Sequence, residues 1–561
     1  MKKISGLCAA CLATASIAFS PAIADPTVGG TTVLGPFVSP DNLDPDNTAP
    51  ITINFSGTDL GWTYVHDGDL RVLLGDTHET QSGDPIDPNY RPLSGHTALT
   101  FDDAFGSLDL SAWSDPSLIS PTNLPTVLLA QHPGTATAKA LNIDNHWLDA
   151  FKTPVAGWSN GTNEYAIFLH SKPQGCLTNS NCTSNGADMT CDGGLAFWGE
   201  EYDDEQGFTG ICTDGTFGCF NDTMRNAFGW PIIGSGFCSD TSSTMYSATN
   251  IGRILSSGFT LRVGVRSTTD ERFYTNSKKW VTNKFMNVAT TTVQDFRPAN
   301  GAGSANQDYE VAGSSGAYRR VFLFGRTNFV GVAANGRPAS LYFAYVDMPT
   351  GSTFNWTVNY FTGFSGGVPT FSTDEADAVP IDLDSTMSGF QDEQNDIVGQ
   401  MSIRWVEHLD KWVMLYGGGM STFPVLVFQT CGVVELFIGA SQCDDVDVGN
   451  GAIRMRTADD PWGPWSPPQD VFYPGNPLAS PPTGEYASGG ILYHPDCSGT
   501  NCAPDYAHPN LDEDVDYGLL YGPNIIEPWI DEVGDDVDII WNVSTWIPYH
   551  TVLFRTRIEA D

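Results

Sequence analysis

What most limits this chain is a pattern that recurs without helices. Runs of five to eight β-branched and aromatic residues end in a Gly, Asp or Asn turn, and another run follows. Leu60 to Leu74, Arg319 to Phe324 with Leu341 to Val346, Met401 to Tyr416, and Val537 to Ile558 all read this way. The stretches between them, such as Gln81 to Pro88, Pro298 to Gly313 and Pro477 to Pro482, are rich in Gly, Pro, Ser and Asp and predict loops. Antiparallel hairpins in series, with no helices between them, build a sandwich, a barrel or a propeller. A chain of 561 residues is long for a sandwich, and no Gly/Pro linker divides it. The hairpins are irregularly spaced rather than strictly repeated. An all-β divergent propeller with long insertions fits best.

Composition narrows the partners. Lys and Arg number 26 against 66 Asp and Glu, a net charge of -40, which excludes a phosphate-backbone partner and disfavours anionic membranes. Met1-Lys2-Lys3, the apolar stretch Leu7 to Phe19 and Ala22-Ile23-Ala24 read as a signal peptide over residues 1–24, so a secreted or periplasmic protein is expected. Residues 25–561 then form one domain, with no later segment apolar enough to span a bilayer. Beyond residue 24 lie ten cysteines: Cys176, Cys182, Cys191, Cys212, Cys219, Cys238, Cys431, Cys443, Cys497 and Cys502. None shows paired metal-ligand spacing or interleaved His, so disulfides are expected, with a Cys-rich insertion at about 175–239. The spacing suggests Cys431–Cys443 and Cys497–Cys502, and leaves the six-cysteine cluster open.

One hairpin can be counted in register. Asp67-Gly68 is a strong two-residue turn signal, and counting outward from it along an unbroken ladder opposes Asp59 to Asp76. Opposed carboxylates repel, which a hairpin does not need. Three readings compete: a proton-sharing acid–base pair, a Ca2+ site, or a structural one in which each aspartate caps a neighbouring turn or a bulge breaks the count. Acidic runs at Glu200 to Glu205, Asp444 to Asp447 and Asp512 to Asp516 also offer oxygens, but none has the spacing of a calcium loop. No cofactor is required by these readings, and Ca2+ is compatible with them.

The segments Thr58-Asp59-Leu60-Gly61, His66-Asp67-Gly68 and Leu74-Gly75-Asp76-Thr77 resemble the opening of the family known as domain of unknown function 4185. Further matches follow in order: Asn283 to Asn287, Val321 to Arg326, Leu341 to Ala344, Val398 to Ser402 with Lys411 to Tyr416, and Arg454 to Ala458 with Pro461 to Ser466. Tyr521 to Asn524 and Ser544 to Tyr549 close the series. The resemblance implies a five-bladed β-propeller related to the endo-D-arabinofuranosidases of glycoside hydrolase family 183, and hence a poly- or oligosaccharide partner. It implies hydrolysis of furanosidic, arabinan-like linkages; a non-catalytic polysaccharide-binding propeller is the alternative. Oligomeric state is not legible.

In that frame Asp59 is the expected base and Asp76 its tuning partner. Gln400 stands where the family pattern has a glutamate, and an amide cannot transfer a proton. Glu527, Glu407 and the acidic loop Asp392 to Asp396 are substitutes for the acid, with Glu527 retained as the catalytic candidate. Trp62, Trp198, Trp405, Trp529, Trp541 and Trp546 lie in or beside strand runs and either stack on sugars or fill the core. Expected substrate contacts are Trp62, Arg326, Asn328, Gln400, Asn524, Trp546 and Tyr549.

Overall fold

Strands that bury both faces dictate the architecture. In Tyr318–Arg326, Val321 and Leu323 join one hydrophobic cluster while Phe322 and Phe324 join another. In Lys411–Gly417, Trp412, Met414 and Tyr416 face one cluster and Val413 and Leu415 the next. Side chains alternate sides along a strand, so an unbroken apolar run marks a sheet packed between two neighbours.

A computed structural model describes residues 25–38, 55–79, 102–125, 127–129, 152–170, 175–176, 190–192, 210–213, 260–266, 273–274, 279–280, 282, 284–285, 287–293, 318–326, 340–349, 356–381, 383, 398–417, 452–475, 483–487, 490–492, 519–546 and 550–560. Blade one is built from Phe55–His66, Asp69–Glu79, Asp102–Asp109 and Leu128–Leu129. Blade two contains Lys152–Ser159, Glu164–His170, Thr260–Arg266 and Phe273–Tyr274, with Lys279–Trp280 also paired to Thr260–Arg266. Blade three runs Asn287–Val293, Tyr318–Arg326, Leu341–Pro349, Val358–Ser365 and Val368–Ser372. Blade four is Met401–Val406, Lys411–Gly417, Ile453–Ala458 and Gln469–Phe472. Blade five is Leu519–Val533, Asp536–Trp546 and His550–Glu559, and Thr27–Val38 supplies its outer strand.

The first strand of each blade packs on the first strand of the next, and the ring closes from Leu519–Val533 back to Phe55–His66. The protein is therefore a five-bladed β-propeller. Hydrogen bonds run around the axis as well: Thr290 Oγ1 donates to Gly157 O, Arg404 Nη1 to Thr290 O, and Ile525 N to Ser402 Oγ. Each blade joint has its own apolar cluster. At the joint of blades three and four, Phe361 stacks on Trp462 with ring centroids 5.7 Å apart. Burying one such large side chain contributes roughly 1.5–3 kcal/mol, so the joints carry most of the favourable free energy.

The innermost strands all begin at one end of the axis and turn back at the other. The Cys-rich insertion falls between the second and third strands of blade two, and within it Gly175–Cys176, Gly210–Thr213 and Thr190–Asp192 form a separate small sheet. Its register sets Cys212 opposite Cys191. Cys182, Cys219, Cys238, Cys431, Cys443, Cys497 and Cys502 lie outside the described residues, as do residues 1–24 and the three predicted loops. Among the described residues no helix is long and apolar enough to cross a membrane.

Candidate active site

The first hairpin of blade one positions Asp59. Its turn forms as the sequence predicts, with Asp67 at φ 52° and Gly68 at φ 87°, the left-handed pair of a type I′ connection. The ladder then runs unbroken from His66–Asp69 to Trp62–Leu73. At Gly61 it breaks. Leu60 and Gly61 both take positive φ, 66° and 75°, and Leu60 pairs with Leu74 and Asp59 with Gly75. The expected opposition of Asp59 and Asp76 is therefore corrected by one residue. The warning lay in Gly61 itself, since a glycine inside a strand often marks a bulge. The side chain of Asp76 lies outside the described residues.

This bulge has a purpose that can be traced atom by atom. Any Cβ at Gly75 would run into Asp59 Oδ1, so the bare glycine opens the space that the carboxylate occupies. A leucine in the left-handed region costs roughly 1–2 kcal/mol, and it persists only because its surroundings hold it. Two asparagines of blade five do the holding. Asn542 Nδ2 donates to Leu60 O at 3.2 Å and Gly61 O at 3.1 Å. Asn524 Nδ2 donates to Gly61 O at 3.2 Å, Thr63 Oγ1 at 2.8 Å and Asn542 Oδ1 at 2.9 Å. Asn524, expected to contact substrate, is almost wholly buried in this lock.

Asp59 itself is 7% exposed, and Tyr521 Oη donates to its Oδ2 at 2.7 Å. Next to Tyr521, Gly522 takes φ 63°, and a side chain there would crowd Gln400 Oε1 and touch Leu60. Gln400 is buried at the start of blade four, and its Oε1 has no hydrogen-bond partner among the described residues. Asp59, Tyr521 and Gln400 thus gather at the end of the axis where the innermost strands begin. Tyr521 and Asn542 were not singled out from the sequence; the string Tyr521-Gly522-Pro523-Asn524 was the only signal for the first.

Among the described residues the other candidate carboxylates stand elsewhere; Asp392 to Asp396 lie outside the described residues. Glu407 is exposed in the turn after Met401–Val406, at the opposite end of blade four from Gln400. Glu527 lies further along the strand that carries Tyr521. Pro528 cannot donate to the ladder, and the pairing breaks between Ile525 and Ile530, which frees Glu527 from the sheet. Its side chain is 53% exposed and lies 3.8 Å from Arg404 Nε. Confinement among the surrounding blades pushes the Glu527 carboxyl above the ordinary carboxylate range, and the Arg404 guanidinium pulls it back. Six residues of strand separate it from Tyr521, up to ~20 Å of extended chain. Glu527 and Asp59 therefore occupy different depths.

Of the expected aromatic contacts, Trp62 is core: it packs with Leu60, Tyr64, Phe168 and Phe273 at the joint of blades one and two. Trp529 donates its indole N–H to Trp113 O, and Trp541 stacks on Phe554, so both are core as well. Arg326 is completely buried at the end of its strand. Trp198, Asn328 and Tyr549, together with the side chain of Trp546, lie outside the described residues. Among the described residues no three His, Cys, Asp or Glu are grouped to hold a metal ion.

At the far end of the axis a second polar cluster joins blades one and two. Glu164, 4% exposed, accepts from Tyr64 Oη at 2.9 Å and pairs with Arg71 Nε at 3.1 Å and with Arg266 Nη1. His66 Nε2 lies 3.7 Å from Glu164, and His66 Nδ1 is 2.8 Å from Ser159 Oγ. Burial and the Glu164 carboxylate push the Tyr64 phenol well above its usual range.

A five-bladed propeller with a buried carboxylate beside its axis is thus the class of protein the chain defines. No protein-family model matches it, and no curated protein sequence does. Among solved structures it is similar to a GH43 β-xylosidase/α-arabinofuranosidase from a compost microbial metagenome, at 9% identity over 96% of this chain and 98% of that one, TM-score 0.32. It is similar to the α-L-arabinofuranosidase PaAbf62A of Podospora anserina at 10% identity over 96% and 99%, TM-score 0.28. A Trypanosoma rangeli sialidase gives 8% identity over 95% and 60%, TM-score 0.29. The fold stands on the closed ring of strands, independently of these likenesses.

Proposed function

We propose that the protein is a glycoside hydrolase acting on furanosidic, arabinan-like linkages, with its substrate bound where the innermost strands begin. One observation carries this reading: a buried aspartate, oriented by a tyrosine hydroxyl, sits on a strained bulge that two asparagines hold in place. Strain of this kind clusters at functional sites. In the proposed reaction Asp59 takes a proton from the water that attacks the anomeric carbon, and the glycosidic C–O bond breaks. The departing oxygen needs a proton that Gln400 cannot give. The acidic segment Asp392 to Asp396, which leads directly into Gln400, is the nearest source along the chain. The resemblance to the domain of unknown function 4185 family supplies the choice of furanosidic bond. The leader-like residues 1–24 and the ten cysteines fit an exported, disulfide-bonded chain.

Reducing-sugar release from a panel of arabinans, galactans and bacterial wall glycans tests the reading. Wild type releases sugar from an arabinan, and Asp59→Asn does not. A second reading, a non-catalytic glycan-binding propeller, is favoured by the amide at Gln400. Release from no polymer, with retained co-sedimentation on one of them, selects that reading instead.

A further inference from the structure

We infer that Tyr521 is the positioning residue of Asp59: reaching from the last blade to the first, its hydroxyl fixes the carboxylate in the orientation in which it accepts a proton. The inference rests on Asp59 being the base of the proposed hydrolysis.

Three features of the contact support it. The hydroxyl donates to Asp59 Oδ2 at 2.7 Å, which is the short, charge-assisted kind of hydrogen bond that favours the ionised carboxylate. Tyr521 has little freedom to leave, since its ring is buried with Leu60, Trp62, Tyr64 and Leu73. Its backbone opposes Ser544 and runs into the left-handed Gly522. The two partners come from strands 462 residues apart in sequence. The carboxylate is therefore fully oriented only once blade five has docked on blade one.

A simple clamp between blades is the competing explanation for the same hydrogen bond. That joint already has one, because Asn524 and Asn542 together make four bonds to Leu60, Gly61 and Thr63. Tyr521→Phe keeps the ring in its apolar cluster and removes only the donor. A clamp loses stability alone, whereas a positioning residue also lowers turnover per folded molecule; easier protonation of Asp59 accompanies loss of the donor in either case.

The test compares wild type with Tyr521→Phe in two ways. On a polymer that wild type cleaves, the variant's kcat falls about tenfold with KM little changed, and the acid limb of its kcat/KM profile moves up by about one pH unit. The direction follows because losing a donor to the ionised form makes protonation easier. In parallel, carboxyl NMR follows the Asp59 resonance, assigned by its loss in Asp59→Asn, and its titration moves upward by the same amount. A rate profile and a titration that both match wild type overturn the inference, whatever happens to the melting temperature. If wild type cleaves nothing, the hydrolase reading fails and the inference with it; an active wild type whose rate profile Tyr521→Phe reproduces overturns the inference alone.

Discussion

The two ends of the propeller axis both bury a carboxylate, and they treat it in opposite ways. At the far end Glu164 is saturated by Tyr64, Arg71 and Arg266, with His66 close by, and the left-handed residues near it, Asp67, Gly68 and Gly161, belong to hairpin turns rather than to a strand. At the other end Asp59 rests on two left-handed residues, and Gln400 Oε1, close to Gly522 of the strand that carries Tyr521, has no partner among the described residues. A buried charge that is fully paired is expensive to unbalance and serves to join elements. A strained backbone with an open acceptor has no such structural return, which is why the reaction is proposed at the Asp59 end.

The largest expected effect separates the two ends directly. Asp59→Asn lowers kcat by roughly 10²–10⁴ because the proton acceptor is gone, while glycan binding persists in a co-sedimentation assay. The amide still accepts from Tyr521, so the thermal midpoint stays close to wild type. Full activity in this variant would move the site elsewhere.

Glu164→Gln inverts that profile. Arg71 and Arg266 lose their buried counter-charge, and denaturant unfolding shows a loss of about 3–5 kcal/mol. Activity per folded molecule remains that of wild type. A loss below ~1 kcal/mol contradicts the assignment of this cluster to joining blades one and two.

Gly75→Ala tests the bulge. The added methyl displaces the Asp59 carboxylate, and kcat drops about 10²-fold through misplacement alone. Equal rates for Gly75→Ala and wild type show that Asp59's placement is irrelevant to turnover.

The smallest effect lies away from both ends and calibrates them. Burial and the neighbouring Asp459 push the Asp460 carboxyl up to about 6, although the Trp462 indole stabilises its charge. A carboxyl raised on folding prefers its neutral form, so its destabilisation is absent below about pH 4, grows up to about 6 and is constant above. Asp460→Asn therefore gains about 1–2 kcal/mol at pH 7 and nothing at pH 3.5, as read from unfolding at the two pH values. A gain at low pH contradicts this.

The sequence by itself determined the strands, the Asp67-Gly68 turn and the all-β class. These depend on neighbours in the chain: turn chemistry acts over two residues, and doubly buried blades announce themselves as apolar runs such as Val321 to Phe324. It also pointed to Asp59 and Gln400, through local strings. Only the tertiary structure decided what faces Asp59. Counting outward from the turn assumed an unbroken ladder, but Asn524 and Asn542, more than 450 residues away, stabilise the carbonyls of a bulge at Leu60 and Gly61. The same holds for the tryptophans, whose rings stack on sugars or pack in cores with the same chemistry. Which of the two Trp62 and Trp541 do depended on the blade that closes over them, and strand periodicity carries no record of that neighbour.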